Sequence, residues 1–342
     1  MCIRDRHAVA AVAATSSLIA RDAIKLIEVT YEIMRHVTDV DKAMEDGAPI
    51  LRENAGDGSV PKGMHPNVVR YHESGHGDLE TGFASADLVI EDTFRTEATH
   101  QGYIEPHACL AQLGGDGKGE LWCCTQGHFH VQKTCAALLD IETSALRVTP
   151  SEIGGGFGGK TAIFIEPVAL ALSRKTNRPV KLVMSRSEVF RATGPTSSTS
   201  MDIKIGMKKD GTITAGSGVF RLQGGAFPGA PMEFTAMCAF APYNLKNVQQ
   251  IGYDVLSNRP KQAAYRAPGS PMAAFAVESV IDELCNRLEL DPIEVRLKNA
   301  SKEGTKASFG PKWDRIGLVA VSYTHLRAHE TLRYLVCRLL LE

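Results

Sequence analysis

An α+β fold, mixed sheets with helices, is predicted for this sequence on three observations. A two-residue alternation runs through Met201–Met207, with Met201, Ile203, Ile205 and Met207 on one face and Asp202 and Lys204 on the other. That is the period of a strand with one buried face. A stripe of three- to four-residue spacing (Ala274, Val277, Ile281, Leu284, Leu288) runs through Pro271–Leu288, the period of a half-buried helix. The two kinds of segment interleave along the chain, without repeats or low-complexity stretches.

In chain order, Ser17–Ile27 reads as a helix with Leu18, Ile19, Ala23, Leu26 and Ile27 on one face, and Ile27–Glu32 alternates as a strand. Arg52–Asp78 is polar and rich in Gly and His and reads as a linker. Leu88–Thr96 and Gly119–Thr125 are strand candidates, His128–Leu139 a helix and Leu146–Thr149 a strand. A glycine-rich run at Gly154–Gly159 follows, then a helix over Ile163–Arg174 and a strand over Val180–Met184. Asp210-Gly211 predicts a tight turn joining Met201–Met207 to a strand resuming at Thr212. Ser270 and Pro271 suit the cap and first position of the long helix, and Asp291-Pro292 starts a second one over Ile293–Ala300.

The bulk numbers exclude several function classes. The 342 residues suffice for two ordinary domains or one large one, and 44% apolar with 23% charged residues is a globular composition. A net charge of -1 gives no electrostatic footprint for nucleic acid or an anionic membrane. No run approaches the roughly 18 apolar residues that span a bilayer. None of the eight cysteines forms C-x-x-C, so a structural zinc or an iron–sulfur cluster is not encoded. Both ends look foreign: MCIRDR at residues 1–6 and the segment 321–342 resemble read-through of a sequencing adapter, because their coding sequences can be complementary. Both are set outside the fold, and what remains reads as an internal piece of a longer gene.

The run Gly154-Gly-Gly-Phe-Gly-Gly159-Lys160-Thr161 carries the chemistry. Missing side chains let backbone N–H groups approach a ligand closely. The string satisfies the P-loop formula G-x-x-x-x-G-K-S/T, which would put Lys160 on phosphates and Thr161 on magnesium. It also satisfies G-x-G-x-x-G, the NAD(P) fingerprint, with Arg186 suited to a 2′-phosphate. Against the first, Thr149–Glu152 separates the run from its strand; against the second, no acid lies about 20 residues on. A non-catalytic interaction fragment is the remaining alternative.

A third reading uses more of the chain. GGGFGGK resembles the signature loop of the xanthine-oxidase and aldehyde-oxidoreductase family of molybdenum hydroxylases. Other segments resemble that family in the same order: His100 with Tyr103-Ile-Glu-Pro106, Leu121–Gln126, Pro179–Arg186, Lys209-Asp-Gly211, Ala264-Tyr-Arg-Ala-Pro-Gly269, Glu278, and Asp291–Asn299. The resemblance covers residues 7 to about 315. It implies the tail of an N-terminal α/β hammerhead-like domain at 7–55, a linker at 56–78 and the first part of a molybdopterin-binding domain at 79–320. It implies a molybdenum–pterin cofactor, molybdopterin or its cytosine dinucleotide, held with no direct protein ligand to the metal. Partner subunits would carry 2Fe–2S clusters and FAD, in assemblies up to a dimer of heterotrimers, in the cytoplasm.

Carried over by motif, Gln126, Gly155, Gly156, Phe157, Gly158, Arg266 and Ala267 would bind the cofactor, and Thr161, Thr196 and Pro268 would line the substrate pocket. Purine-oxidising relatives carry Glu, Arg and an aromatic at the last three places, so purine oxidation is disfavoured. The resemblance then implies hydroxylation of an aldehyde, an N-heteroaromatic ring or an aryl thioester, with water as the oxygen source. Carbon monoxide dehydrogenases carry Cys where Ala267 stands, which disfavours a copper–molybdenum centre. The family's general base, a Glu in a G-x-G-E-P-like segment, is absent from the sequence, so no catalytic residue is assigned and this polypeptide alone is expected to be inactive.

Overall fold

The computed structural model describes residues 8–324. In order, the elements are α1 Ser17–Ile24, β1 Val68–His76, α2 Leu79–Ala84, β2 Leu88–Thr96, β3 Ala108–Leu113, β4 Gly119–Cys123, α3 His128–Leu139, β5 Leu146–Pro150 and α4 Glu166–Thr176. There follow β6 Val180–Val183, α5 Arg186–Ala192, β7 Thr199–Met207, β8 Ile213–Gly225, α6 Met232–Ala239, β9 Val248–Leu256, α7 Ser270–Leu288 and α8 Pro292–Lys298. These build two mixed sheets, ordered β1-β9-β8-β7-β2 and β5-β4-β3-β6. Pairing is antiparallel except for β8 with β9 and β4 with β5. The fold is the α+β arrangement the periodicities predict.

Each sheet has its own core. On the first, Met201, Ile203, Ile205 and Met207 of β7 are fully buried against α6 and α7. The hairpin closes as the sequence implies: Lys208 N donates to Thr212 O, Asp210 Oδ1 accepts from Thr212 N, and Gly211 sits at φ 83°. On the second sheet, Cys109, Ala111, Leu113, Leu121 and Cys123 meet Val131, Cys135 and Leu139 of α3 and Ala169 and Leu170 of α4. Each large apolar side chain buried in this way contributes about 1.5–3 kcal/mol. The site is made where loops from the two sheets meet: β4–α3 and β5–α4 from one, β9–α7 from the other.

Several local expectations are corrected. Ile27–Glu32 is extended but enters neither sheet; its neighbours Leu26 and Ile33 are 83% and 88% exposed. Alternation gives a strand its face, but a ladder also needs a partner. The stretch read as a linker contains β1, paired along its length with β9; as an edge strand it carries polar side chains that mask it in sequence. The helix expected from Ile163 begins at Glu166, which places Pro167 in its first turn, where proline is tolerated. Ser270 does not cap α7: Gly269, at φ 84°, is the cap residue, and Ser270 is already helical with its hydroxyl on Cys238 Sγ. The buried stripe of α7 runs through Met272, Ala273, Ala276, Val277, Val280, Ile281, Leu284 and Cys285, so Ala274 faces out. Asp291 does cap α8, accepting from Ile293 N and Glu294 N. Of the adapter-like segments 1–6 and 321–342, residues 321–324 are described and helical, and the rest lie outside the described residues.

The two caps therefore separate in a urea titration. Asp291→Ala should cost about 1 kcal/mol, as loss of an N-cap does. Ser270→Ala should stay within about 0.5 kcal/mol. The reverse order would restore Ser270 as the cap.

Candidate functional site

Three loops converge. The glycine loop 154–160 leaves β5, an edge strand; Gln126 follows β4, its parallel neighbour; and 264–269 joins β9 to α7. Gln126 Oε1 accepts from Gly158 N (3.0 Å) and Lys160 N (3.2 Å). Backbone amides can only donate, so the carbonyl end of this side chain faces the loop. Its NH2 end has no partner among the described residues, and the side chain is exposed. Arg266 N donates to Phe157 O (2.8 Å), which ties the third loop to the first.

These approaches are close enough to require glycine. A Cβ on Gly156 would lie 2.6 Å from Gln126 Oε1, and one on Gly158, at φ 101°, 2.5 Å from Ala264 O. At the facing tips, Phe157 (φ 50°) and Ala267 (φ 62°) hold left-handed backbone without being glycine. Such strain costs on the order of 1 kcal/mol or more and gathers at ligand sites.

The donors left over define what the site can hold. Among the described residues, the N–H groups of Gly155, Gly156, Phe157 and Ala267 donate to nothing. The Arg266 guanidinium is exposed and unpaired there as well. With the Gln126 amide, these unused groups are donors, one of them permanently charged. An oxygen-rich, anionic group fits them. No cluster of three or more His, Cys, Asp or Glu among the described residues could hold a bare metal, so a metal here would need a cofactor to carry its ligands.

Beneath the loop lies a buried polar network. Lys160 is fully buried and its Nζ donates to Glu105 Oε2 at 2.5 Å. The same oxygen accepts from Gly154 N at 2.9 Å. Burial would raise the Glu105 pKa, but Lys160 and the Gly154 amide outweigh it and hold the carboxyl below its ordinary value. Tyr103, under Lys160, shares a bond of 2.8 Å with His107 Nε2. Gln101 Nε2 donates to Gly194 O and Ala264 O, linking the network to the third loop. The sequence marked His100 and Tyr103–Pro106 as a motif without giving these residues a task.

This network disposes of both nucleotide readings. A P-loop lysine must reach phosphates, whereas Lys160 has no exposure and is spent on Glu105. The Thr161 hydroxyl is spent on Gly158 O, and α4 begins only at Glu166. A dinucleotide fold needs neighbouring parallel strands around a crossover helix, but β5 and β6 are at opposite edges of their sheet.

The pocket residues expected from sequence separate. Thr196, 7% exposed, and Ala267 share a cavity of about 180 Å³ with Thr96, Glu97, Tyr265 and Met272. Pro268 is half-buried next to it, while Thr161 stands outside it at the end of the glycine loop. A larger cavity of about 550 Å³, lined by Ile163, Phe164, Val168, Leu182, Met184 and the 8–12 segment, takes in none of Gly154–Gly159.

His107 gives the network a pH signature. Burial first, and Lys160 second, lowers its pKa from 6.5 to about 4. Between these values the unfolded chain binds a proton that the folded chain does not. The contribution is complete above pH 6.5 and fades as pH falls towards 4, by up to about 3 kcal/mol. Asp254, raised by burial to about 6, acts in the opposite sense, so the measurement is a difference. The stability gap between the native chain and His107→Gln should shrink from pH 7 to pH 4; a constant gap refutes the assignment.

Comparison with known proteins gives a family for the chain. Residues 60–300 match the family described as the molybdopterin cofactor-binding domain. A relative from Escherichia coli O157:H7 named "Probable hypoxanthine oxidase XdhD" is 32% identical over 327 residues, covering 86% of this chain and 34% of that protein. The nicotinate dehydrogenase large molybdopterin subunit of Eubacterium barkeri is 28% identical over 317 residues, 91% of this chain and 72% of that one. The solved aldehyde oxidoreductase of Desulfovibrio gigas superposes with a TM-score of 0.83 at 26% identity, covering 93% of this chain and 34% of that one. The chain thus spans about a third of the first and last of these.

Proposed function

The chain belongs to the molybdopterin cofactor-binding domain family, and from that premise we propose that it is the cofactor-cradling half of the molybdenum-binding subunit of an oxidoreductase. One observation carries the reading: Gln126, the glycine loop and the Arg266 loop meet, and the N–H groups of Gly155, Gly156, Phe157 and Ala267 are left unused there beside the Arg266 guanidinium. When bound, the molybdenum–pterin group would supply the two-electron oxidation and take its oxygen from water.

The residues have separate tasks. The N–H groups of Gly155, Gly156 and Phe157 form a fixed donor array, preorganised because Gly158 and Lys160 are pinned to Gln126. Gln126 has both ends in use: its oxygen shapes the loop and its NH2 faces the ligand. Arg266 and the Ala267 N–H close the opposite side and supply a permanent positive charge. Thr196, in its small cavity, with Pro268 beside it and Thr161 at the end of the glycine loop, would contact the substrate, an aldehyde, an N-heteroaromatic ring or an aryl thioester. No G-x-G-E-P-like segment occurs in the 342 residues, so the general base is expected from elsewhere and the polypeptide alone to be inactive. The cofactor would be molybdopterin or its cytosine dinucleotide. The assembly would include subunits carrying 2Fe–2S clusters and FAD, in the cytoplasm; residues 7–55 would be the tail of a preceding domain and 79–320 the first part of the cofactor domain. No described helix is long and apolar enough to cross a membrane.

The test is cofactor content. The chain produced in a host that makes molybdenum–pterin should co-purify with molybdenum and pterin in equal amounts. Gln126→Ala, which frees two loop amides, should lower retention by on the order of tenfold. Millimolar ATP or NADP should give no binding heat. Nucleotide binding without pterin would overturn the reading.

A further inference from the structure

We propose that Lys160 and Glu105 are positioning residues whose ion pair, formed by a fully buried lysine and a half-buried carboxylate, sets the shape of the glycine loop, and with it the direction of the free N–H groups at 155–157. The purpose of that array rests on the cofactor reading; the clamp itself does not.

The geometry is specific to the loop. A single oxygen, Glu105 Oε2, takes a donor from each end of it: Gly154 N at 2.9 Å and Lys160 Nζ at 2.5 Å. Glu105 N also donates to Gly154 O at 3.1 Å, so Glu105 holds the start of the loop through both the N–H and the carbonyl of Gly154. At the other end, Lys160 is fixed by backbone as well as side chain. Its N–H donates to Gln126 Oε1, and its carbonyl accepts from Gln126 N (2.9 Å) and Thr125 Oγ1 (3.2 Å). The loop is thus a bow drawn between two points that one carboxylate holds together.

Two further facts favour this role over general stabilisation. Lys160 has no exposed surface, so the loop cannot swing open without separating a buried ammonium from its partner. Burying an ammonium is rarely the most stabilising choice for a site, since an apolar side chain of similar volume does as well, whereas its pairing does fix one arrangement. Besides the loop's own amide and Lys160, Glu105 Oε2 accepts from no other group among the described residues.

Hydrogen exchange followed by mass spectrometry tests the clamp in the chain as it stands. In Lys160→Met, the peptide spanning 153–161 should exchange about tenfold faster, while the α7 peptide is unchanged. Glu105→Gln keeps an acceptor for Gly154 N and should give a smaller acceleration; it decides the matter if Lys160→Met does not fold. Glu283→Gln, which breaks an exposed ion pair on α7, serves as the control and should change nothing at 153–161. In the full-length holoenzyme from the natural gene, Lys160→Met should lower kcat with KM within about twofold and shift the Mo(V) electron paramagnetic resonance spectrum. Unchanged exchange at 153–161 in both variants overturns the proposal. A native protein without pterin would overturn the cofactor reading alone, because exchange reads the loop in the cofactor-free chain.

Discussion

The site depends on how closely three stretches of backbone approach one another. At Gly156 the loop presses on the Gln126 carboxamide, and at Gly158 on the Ala264 carbonyl. Each contact leaves no room for a Cβ, and each comes from a different loop. Close approach turns a flexible glycine run into a fixed surface: once its inner amides are taken by Gln126, the outer ones can only point away. Glycine lowers the steric cost of this shape but raises its entropic cost, so the shape has to be held by the residues around it.

The holding is done from below and from both sheets. The segment 100–107 crosses under the site and meets each loop in turn. Gln101 reaches the Ala264 carbonyl, Tyr103 lies under Lys160, and Glu105 bonds Gly154. Arg186, at the start of α5, donates to the carbonyls of Tyr103 and Ile104 and ties that segment down in turn. Because the glycine loop grows from one sheet and the Arg266 loop from the other, their separation is set by how the two sheets pack. Segment 100–107, on the way from β2 of the first sheet to β3 of the second, is part of one of the two chain connections between them; the other returns from β6 through α5 to β7. Glu278 does similar work far from the site, accepting from Tyr243 and pairing with Arg296 to join α7 to α8.

What the sequence made legible follows the range of the interactions. The β7–β8 hairpin is local, its alternation is complete and its turn has its own chemistry, so strands and turn are readable residue by residue. The same holds for α3 and for the Asp291 cap. Strand β1 is not readable: it is an edge strand with a polar face, and its partner β9 is far away in sequence. Ile27–Glu32 shows the converse, a readable pattern with no neighbour to pair with. Helix α5 was readable in principle, since Ser185 and Glu188 form a capping box directly after β6. In the site, the glycine run and the two loops facing it are legible as strings. Their meeting is not, and neither is the clamp, because Glu105 and Lys160 stand 55 positions apart.

The glycine string itself marks the limit of motif reading. Gly154–Thr161 satisfies a phosphate-binding formula completely, yet a formula specifies residue types and spacing, not where the charge ends up. In a P-loop the strand is central, the helix starts at the lysine and the ammonium projects into the site. Here the strand is an edge, the helix starts late and the chain turns back under itself, so the ammonium goes down onto Glu105. With Lys160 withdrawn, the surface presents neutral amide donors, and the positive charge comes from Arg266 across the gap. The same eight residues can therefore face a phosphate or an oxo-bearing cofactor. What differs here is the acidic residue 49 positions upstream of the first glycine, whose carboxylate gives the buried lysine its partner.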